Sequence, residues 1–494
     1  GHHARRKGRR LTRNWPVARL IGSRARAAVM KQTRGNYPAP PRAVEVLVRG
    51  ASRSVAGGLA LERDAVVELA RTPAGRNLME VFLLRERARH LDPAEAAGAA
   101  ADRSGVGTAA VIGAGVMGAG IAQWLAARRI PVVLRDVNDA ALARGMASIE
   151  KLFREGARRG AFDPRAARDG LDRIRPSAVD VPLGNVDVVV EAAVEELGIK
   201  RRIFGRLEEL AAPETVLATN TSSLSLAAIA EGLEHPGRVA GLHFFNPVHR
   251  MELVEVVVGD RTDPAVAARM VRLVQEIGKL PVVVRDRPGF CVNRVLFPYL
   301  GEAGRLFDEG VPPREIDEAM LDFGMPMGPL RLLDEVGLDI AVHVAEHLHD
   351  GFGDRMEIPA ILGRMVEAGL WGRKKQAGFY LYGRRVEVNP EAARLAGSGG
   401  APGREELQQR MVLPLLNEAA RCVEEEVVAD PRDVDLALVM GTGFAPFRGG
   451  PLRHADTVGL AEVVAALERR GAARFAPAGL LRSMAEGGRR FHGG

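Results

Sequence analysis

The feature that most constrains this chain is a glycine-rich segment, GAGVMG over residues 113–118, between an apolar run and a helical pattern. Gly113, Gly115 and Gly118 permit a tight turn and let backbone amides approach a bound pyrophosphate closely. The positive end of the following helix's dipole favours the same anion. The segment therefore predicts a strand, turn and helix that bind a dinucleotide, with a glycine-rich turn lacking a ligand as the alternative.

A carboxylate follows the glycine segment at an informative distance. The next apolar run, PVVLRD, ends in Asp136, eighteen residues after Gly118. A carboxylate there accepts hydrogen bonds from the ribose hydroxyls and repels a 2′-phosphate, so NAD is predicted rather than NADP. Arg135, beside the aspartate, weakens the exclusion of NADP.

The order of patterns along the chain divides it into units. From residue 105, short and nearly all-apolar runs alternate with helical stretches, which is typical of a parallel sheet covered on both faces. We predict an α/β Rossmann domain, a doubly wound parallel sheet, over residues 105–288. Residues 1–104 predict a short helical N-terminal segment, with an amphipathic helix over residues 60–92.

The C-terminal half contains an internal repeat of helical pattern. Arg294 matches Arg410 and Glu302 matches Glu418, each 116 residues apart. We therefore predict two repeated all-α helical domains, over residues 289–395 and 404–494. The glycine-rich stretch 397–403 between them predicts a flexible linker.

A histidine and a glutamate on neighbouring apolar runs are candidates for acid-base chemistry. His243 lies in GLHFFNPV, where a strand of an open α/β sheet would end and a ligand would bind. Oxidation of an alcohol needs a base for the hydroxyl proton, and histidine suits that role near neutral pH. Glu255, twelve residues later, would orient the imidazole. A satisfied core histidine is the alternative.

Composition excludes several protein classes. Hydrophobic residues make up 47% and charged residues 27% of the 494, as in ordinary globular proteins. No apolar run is long enough to predict a membrane span. The two cysteines, Cys291 and Cys422, lack metal-ligand spacing, so no metal is predicted. Cysteines this sparse indicate a reducing compartment, and cytoplasmic localisation is the default expectation.

The net charge of +7 is concentrated at the N-terminus, where residues 1–34 hold eleven Lys or Arg and no acid. Such a segment could bind nucleic acid or a membrane surface, or resemble an organelle transit peptide. We favour a solvated basic segment that also attracts an anionic substrate, because few aromatic residues interleave for base stacking. Nucleic acid is therefore not predicted as a partner.

Five further motifs follow the glycine segment in a fixed order: NTSSL, HFFNPV, LVEVV, PGFCVNR and MGPLRLLDEVGLD. In this order they resemble the 3-hydroxyacyl-CoA dehydrogenases, from about Thr108 to Gly459. Two helical units instead of one make the chain most similar to the dehydrogenase half of bifunctional alpha subunits of fatty-acid oxidation complexes. Residues 36–90 resemble the closing helices of their enoyl-CoA hydratase part. The rest of that part is not found in this sequence, so no hydratase activity is expected.

The resemblance implies a role for each matching residue. His243 would be the general base, paired to Glu255, with Ser222 and Asn293 holding the substrate. The residues implied to contact NAD, besides the three glycines, are Met117, Asp136, Val194, Glu195, Lys200, Asn220 and Asn246. Cys291 is expected to serve packing. His454 stands where the resemblance implies a phenol in contact with acyl-CoA.

The implied function is NAD-dependent oxidation of 3-hydroxyacyl-CoA to 3-oxoacyl-CoA in fatty acid β-oxidation. An acyl-CoA substrate, a homo-oligomer and a thiolase partner are the implied associations. One alternative is a dehydrogenase of small hydroxy acids of the hydroxyisobutyrate type, which would use a lysine in place of the His243 and Glu255 pair. Another is a non-catalytic, crystallin-like or scaffolding relative that binds NAD and docks a thiolase.

Overall fold

The computed structural model of the protein describes residues 15–99 and 105–493. Its central unit is an eight-stranded sheet. Its strands follow the order β3-β2-β1-β4-β5-β6-β7-β8. Residues 1–14 of the basic segment and residues 100–104 lie outside the described residues. The strands are β1 (Ala109–Ile112), β2 (Val132–Arg135), β3 (Ile174–Ser177), β4 (Val188–Glu191), β5 (Val216–Thr219), β6 (Val239–Phe244), β7 (Leu253–Val258) and β8 (Leu280–Arg285).

The first six strands are parallel and confirm the predicted doubly wound Rossmann sheet. The last two differ from the prediction, because β7 pairs with β6 antiparallel and β8 pairs with β7 parallel. Residues 245–252 form the whole connection between β6 and β7. A connection this short cannot contain a crossover helix, so the chain must reverse direction.

Helices cover both faces of the sheet. Their hydrophobic faces, together with the apolar strands, form two cores, one on each side. These helices are α6 (Val116–Ala127), α7 (Asp139–Arg158), α8 (Pro164–Asp172), α9 (Leu197–Leu210), α10 (Leu226–Ile229) and α11 (Pro264–Glu276).

Two helical units follow the sheet. The first contains α12 (Val292–Asp308), α13 (Pro313–Phe323), α14 (Pro329–Val336), α15 (Leu338–Phe352), α16 (Ala360–Glu367) and α17 (Pro390–Leu395). The second contains α18 (Arg404–Glu424), α19 (Pro431–Thr442), α20 (Pro451–Val458), α21 (Leu460–Glu468) and α22 (Gly479–Glu486). The first unit is not purely helical, because Tyr380–Tyr382 and Val386–Val388 form an antiparallel hairpin.

The long helices α12 and α18 pack against each other in one continuous core. Their contact is reciprocal: Arg294 of α12 donates to Glu418 of α18 at 2.7 Å, and Arg410 of α18 donates to Glu302 of α12 at 3.0 Å. These are the residues that match in the repeat, so the two units face each other through equivalent positions.

The N-terminal segment consists of α1 (Trp15–Thr33), α2 (Ala39–Gly50), α3 (Val55–Ala70), α4 (Pro73–Arg89) and α5 (Pro93–Ala97). The single helix predicted over residues 60–92 is wrong, because it is interrupted between α3 and α4. There the Thr72 hydroxyl accepts a hydrogen bond from the Gly75 amide at 3.0 Å, and Pro73 occupies the first helical position. Both are helix-start signals that outweigh the amphipathic pattern. No described helix is both long and apolar enough to cross a membrane.

Candidate active site

The turn between β1 and α6 has the geometry that a pyrophosphate site needs. Gly113 has a φ of +103°, and a Cβ on Gly118 would lie 1.8 Å from the Gly113 carbonyl oxygen. Both positions therefore require glycine. An added Cβ at Gly115 would meet nothing within 4 Å, so space is open beside the turn. The turn fits a dinucleotide phosphate at the start of α6.

Asp136 follows β2 directly and lies beside the glycine turn. Its Oδ2 accepts the Ala114 amide at 2.6 Å and its Oδ1 accepts the Val137 amide at 2.6 Å, which fixes the carboxylate beside the glycine turn. Arg135 forms an ion pair with Asp180. The arginine is thus engaged elsewhere, and the carboxylate remains the charged group suited to a ribose.

A buried charge network lies behind this site. The Lys200 ammonium is 2.8 Å from both carboxylate oxygens of Glu191 and 3.3 Å from Glu195. Glu195 also accepts the Thr221 hydroxyl at 2.5 Å and the Ser222 amide at 2.8 Å. Burial raises the pKa of Glu195, but the Lys200 charge and these hydrogen bonds outweigh it and lower the pKa overall.

Lys200 is only 1% exposed and is held by two carboxylates. In this arrangement its effect on a nucleotide would be exerted through Glu195. Glu191 and Thr221 belong to the same network but were not among the predicted site residues. The signal for Glu191 was the charge at the end of the otherwise apolar run VVVE, which a buried strand tolerates only when the charge is paired.

His243 and Glu255 face each other across β6 and β7. They are direct partners in the antiparallel register, and His243 Nδ1 lies 2.6 Å from Glu255 Oε2. Glu255 is fully buried and His243 nearly so. The rings of Phe245 and Phe290 flank the imidazole, with centroids 4.5 and 5.6 Å away. The contact through Nδ1 leaves Nε2 as the nitrogen available to a substrate.

The helical unit supplies the second side of the site. Glu255 Oε1 accepts the backbone amides of Cys291 and Val292 at 3.1 and 2.9 Å, at the start of α12. One residue further, the side-chain Nδ2 of Asn293 donates to the Ser222 carbonyl at 3.2 Å. His243, Glu255, Ser222 and Asn293 are therefore brought together where the sheet meets α12.

The other predicted contact residues surround this centre. Asn220 Oδ1 accepts the Phe244 amide at 2.9 Å, which ties the end of β5 to the end of β6. Asn246 is exposed just past β6 and precedes a cis proline. Met117 is half-buried at the start of α6, and Val194 is exposed beyond β4. All four lie near the carboxyl ends of the strands.

Two positions noted in the sequence lie in the interior. Cys291 is buried, and a hydrogen bond with Cys422 and burial raise the pKa of its thiol, in keeping with a packing role. His454 lies 5.3 Å from Phe323, centroid to centroid. Burial, with a smaller contribution from Arg448, lowers the pKa of His454 to about 3. His454 therefore stands as a neutral ring in an aromatic cluster. Across residues 15–99 and 105–493, no three potential ligand side chains gather to hold a metal.

Comparison with known families gives matches over most of the chain. Residues 108–287 match the family model described as "3-hydroxyacyl-CoA dehydrogenase, NAD binding domain". Residues 289–382 and 407–491 match the C-terminal domain model of the same family, one segment in each helical unit.

Relatives that carry the name fatty acid oxidation complex subunit alpha match nearly the whole chain. The one from Acinetobacter baumannii (strain SDF) is 38% identical over 94% of this chain and 67% of its own length. The one from Shewanella amazonensis is 36% identical over 98% of this chain and 69% of its own length. The chain thus spans about two thirds of these relatives.

Solved structures of dehydrogenases are also similar to this chain. The 3-hydroxybutyryl-CoA dehydrogenase of Escherichia coli is similar over 78% of this chain and 99% of its own, with 31% identity and a TM-score of 0.70. The dehydrogenase part of multifunctional enzyme 1 from C. elegans covers 83% of this chain and 99% of its own, with 26% identity and a TM-score of 0.57. These matches confirm the predicted resemblance, fold class and NAD cofactor. The chain belongs to the 3-hydroxyacyl-CoA dehydrogenase family and is an NAD-dependent enzyme of 3-hydroxyacyl-CoA oxidation in β-oxidation.

Proposed function

We propose that His243 is the general base of this reaction and that Glu255 orients it. The observation that carries the proposal is the 2.6 Å contact between His243 Nδ1 and the buried Glu255 carboxylate. A carboxylate in that position fixes the ring and stabilises the imidazolium that forms when Nε2 takes the 3-hydroxyl proton. Bound NAD supplies the acceptor for the hydride from C3.

Ser222 and Asn293 would hold the reacting oxygen beside His243. The hydrogen bond from Asn293 to the Ser222 carbonyl joins the sheet and α12 at this point, which supports a shared role. Positioning of this kind is a large part of catalysis when the cofactor carries the redox chemistry.

The proposed nucleotide site combines the glycine turn with residues at the strand ends. Asp136 would bind the adenosine ribose, and Asn246 would lie near the nicotinamide. Met117, Val194, Glu195 and Asn220 would line the site, with Lys200 acting through Glu195. The fixed carboxylate of Asp136 and the open space at Gly115 support this assignment.

The experiment is NADH oxidation with acetoacetyl-CoA, followed by absorbance, with NADPH in a parallel assay. We expect turnover with NADH, a loss of at least about a hundredfold in the His243→Ala variant, consistent with removal of a general base, and a smaller loss in Glu255→Gln. His235→Ala, which changes an exposed histidine, is the matched control and should keep wild-type activity.

A folded protein that binds NADH but does not turn over would favour the non-catalytic scaffold. Full activity in His243→Ala would remove the histidine from the mechanism and reopen a lysine-based dehydrogenase. Because Lys279 donates to the carbonyls of Val248 and Met251 and Lys200 is held by carboxylates, neither buried ammonium is free to serve as that lysine in this arrangement.

We propose units at residues 1–104, 105–288, 289–395 and 404–494, an acyl-CoA substrate, a homo-oligomer, a thiolase partner and a cytoplasmic location. The break between β8 and α12 supports the second boundary. Size determination with and without a thiolase subunit tests the two associations.

A further inference from the structure

The start of α12 is attached to the proposed catalytic groups on one side and to the second helical unit on the other. Its first amides hold Glu255, and Asn293 reaches Ser222. The next residue, Arg294, has no exposed surface and extends the opposite way. Three consecutive residues, Val292 to Arg294, therefore connect the active site to α18.

Arg294 is held by two carboxylates of the second unit. Its Nε donates to Glu418 Oε1 at 2.7 Å and one terminal nitrogen donates to Glu425 Oε2 at 2.7 Å. Its guanidinium also lies over the Phe352 ring, 4.5 Å from the centroid. Burial lowers the pKa of Arg294, but Cys422 and the two carboxylates outweigh it and raise the pKa overall. A buried guanidinium without its carboxylate would be strongly unfavourable, so Glu418 fixes where Arg294 lies.

The repeat provides the same contact a second time, away from the site. Arg410 donates to Glu302 at 3.0 Å, and the pair is nearly as buried as the first. The residue that precedes Arg410 is Gln409, which is exposed and donates to Glu405 on its own helix. Both pairs join α12 to α18, but only the pair at Arg294 adjoins the reacting groups.

We propose that Glu418, in the second helical unit, is a positioning residue for the dehydrogenase reaction of the first. By holding Arg294 it fixes the first turn of α12, and with it the Glu255 carboxylate and the Asn293 amide. The proposal rests on the roles proposed above for His243, Glu255 and Asn293. It gives the second unit a part in catalysis besides packing.

The test compares Glu418→Gln with Glu302→Gln in the full chain. Each removes one carboxylate charge from an equivalent pair, and Glu302 lies nine residues beyond Asn293, about 13 Å along α12. We expect both variants to lose stability to a similar extent. Only Glu418→Gln should lower kcat, by about tenfold or more, because small displacements of reacting groups reduce rates steeply. The KM for NADH should stay within about twofold of wild type, since the nucleotide site is untouched.

The pH dependence separates positioning from loss of stability. In Glu418→Gln the acidic limb of the kcat/KM profile for 3-hydroxyacyl-CoA oxidation should move to lower pH, because a displaced Glu255 stabilises the imidazolium less. In Glu302→Gln the limb should stay in place. The proposal is overturned if both variants keep the wild-type profile and kcat, or if both lose kcat equally.

A milder variant keeps the test decisive if Glu418→Gln does not fold. Glu425→Gln removes the other carboxylate on Arg294, and Glu425 is about one third exposed. It should shift the profile in the same direction by a smaller amount, and an unchanged profile would then overturn the proposal. Failure of the underlying function is recognised separately, because the wild-type chain itself would not oxidise NADH.

Discussion

At the scale of single residues, Glu255 uses its two oxygens for two different neighbours. Oε2 contacts the imidazole of His243, while Oε1 accepts two amides at the start of α12. The amides at the positive end of that helix and the imidazole bind the same carboxylate from two sides. One buried charge thus holds the sheet, the histidine and the helical unit in a fixed relation.

Asp136 should determine the choice of nicotinamide cofactor. In Asp136→Ala the charged acceptor for the ribose is lost, which costs about 1.5–3 kcal/mol, or roughly a ten- to hundredfold rise in the KM for NAD. The KM for NADP should fall, because no charge repels the 2′-phosphate. Steady-state kinetics with both cofactors measures the two changes. Unchanged discrimination would show that Asp136 does not reach the ribose.

Two glycines of the turn should respond differently to alanine. In Gly118→Ala the new Cβ would lie 1.8 Å from a backbone oxygen, so stability should fall by about 1–3 kcal/mol together with NADH binding. In Gly115→Ala the Cβ would have no atom of the described chain within 4 Å apart from its sequence neighbours, so the melting temperature should hold while NADH binding weakens. Thermal unfolding without cofactor and NADH fluorescence titration report the two effects. Wild-type affinity in Gly115→Ala would place the pyrophosphate elsewhere.

At the scale of elements, the two helical units secure their last segments in parallel ways. In the first unit the Phe379 and Tyr380 amides donate to Asp334, and the Tyr380 hydroxyl donates to Asp317 at 2.7 Å. In the second unit the Phe491 and His492 amides donate to Asp456, and His492 Nε2 lies 2.7 Å from Asp435. A histidine therefore stands where the first unit has a tyrosine.

This exchange predicts a pH-dependent C-terminal segment. Burial lowers the pKa of His492, but Asp435 outweighs it and raises the pKa overall. The contact therefore stabilises the fold below the ordinary histidine pKa and is lost as pH rises through the raised one. In His492→Tyr, which places a tyrosine here as in the first unit, the pH-dependent contribution of the histidine is absent. The melting temperature of the variant relative to that of wild type should therefore rise by on the order of 2 °C when the pH is raised from 6 to 9. Parallel curves for the two proteins would contradict the prediction.

The sequence predicted these elements unevenly, for physical reasons. The parallel strands and the glycine turn were readable because their burial and backbone geometry select particular residues. The direction of β7 and β8 could not be predicted, since an apolar run indicates that a strand is buried but not whether it runs parallel or antiparallel to its neighbour. His243 and Glu255 could be proposed as a pair, but their direct register depends on that reversal. The repeat matched Arg294 with Arg410 and Glu302 with Glu418. That each arginine pairs with the glutamate of the other unit depends on tertiary packing and could not be predicted from the sequence.

At the scale of the whole molecule, α4 joins the sheet domain to the second helical unit. Arg85 pairs with Glu252 beside β7 at 2.6 Å, and Arg87 pairs with Asp430 at 2.9 Å. Val81 and Leu84 are buried in the core shared with both helical units. The preceding helices bury far less: α2 has no buried residue and α3 only Ala65. They also expose large apolar residues such as Leu47 and Val66.

Two N-terminal deletions should therefore differ sharply. Removal of residues 1–70 should leave kcat unchanged and lower stability by only about 1–2 kcal/mol, because the contacts that residues 15–70 make with the rest of the chain are mainly exposed ion pairs such as Arg34 with Glu318, together with the Tyr37 ring, 5.1 Å from that of Phe447. It should also improve solubility, since exposed apolar surface is lost. Removal of residues 1–92 should lower the melting temperature by on the order of 10 °C, because burial of Val81 and Leu84 alone contributes about 1.5–3 kcal/mol each. Val81→Asp in the full chain should reproduce that loss without any change in length. If the longer deletion melted like the shorter one, α12 and the direct contacts between the sheet and the second unit, such as the Arg285 amide with the Val427 carbonyl at 2.9 Å, would be enough to hold the two together.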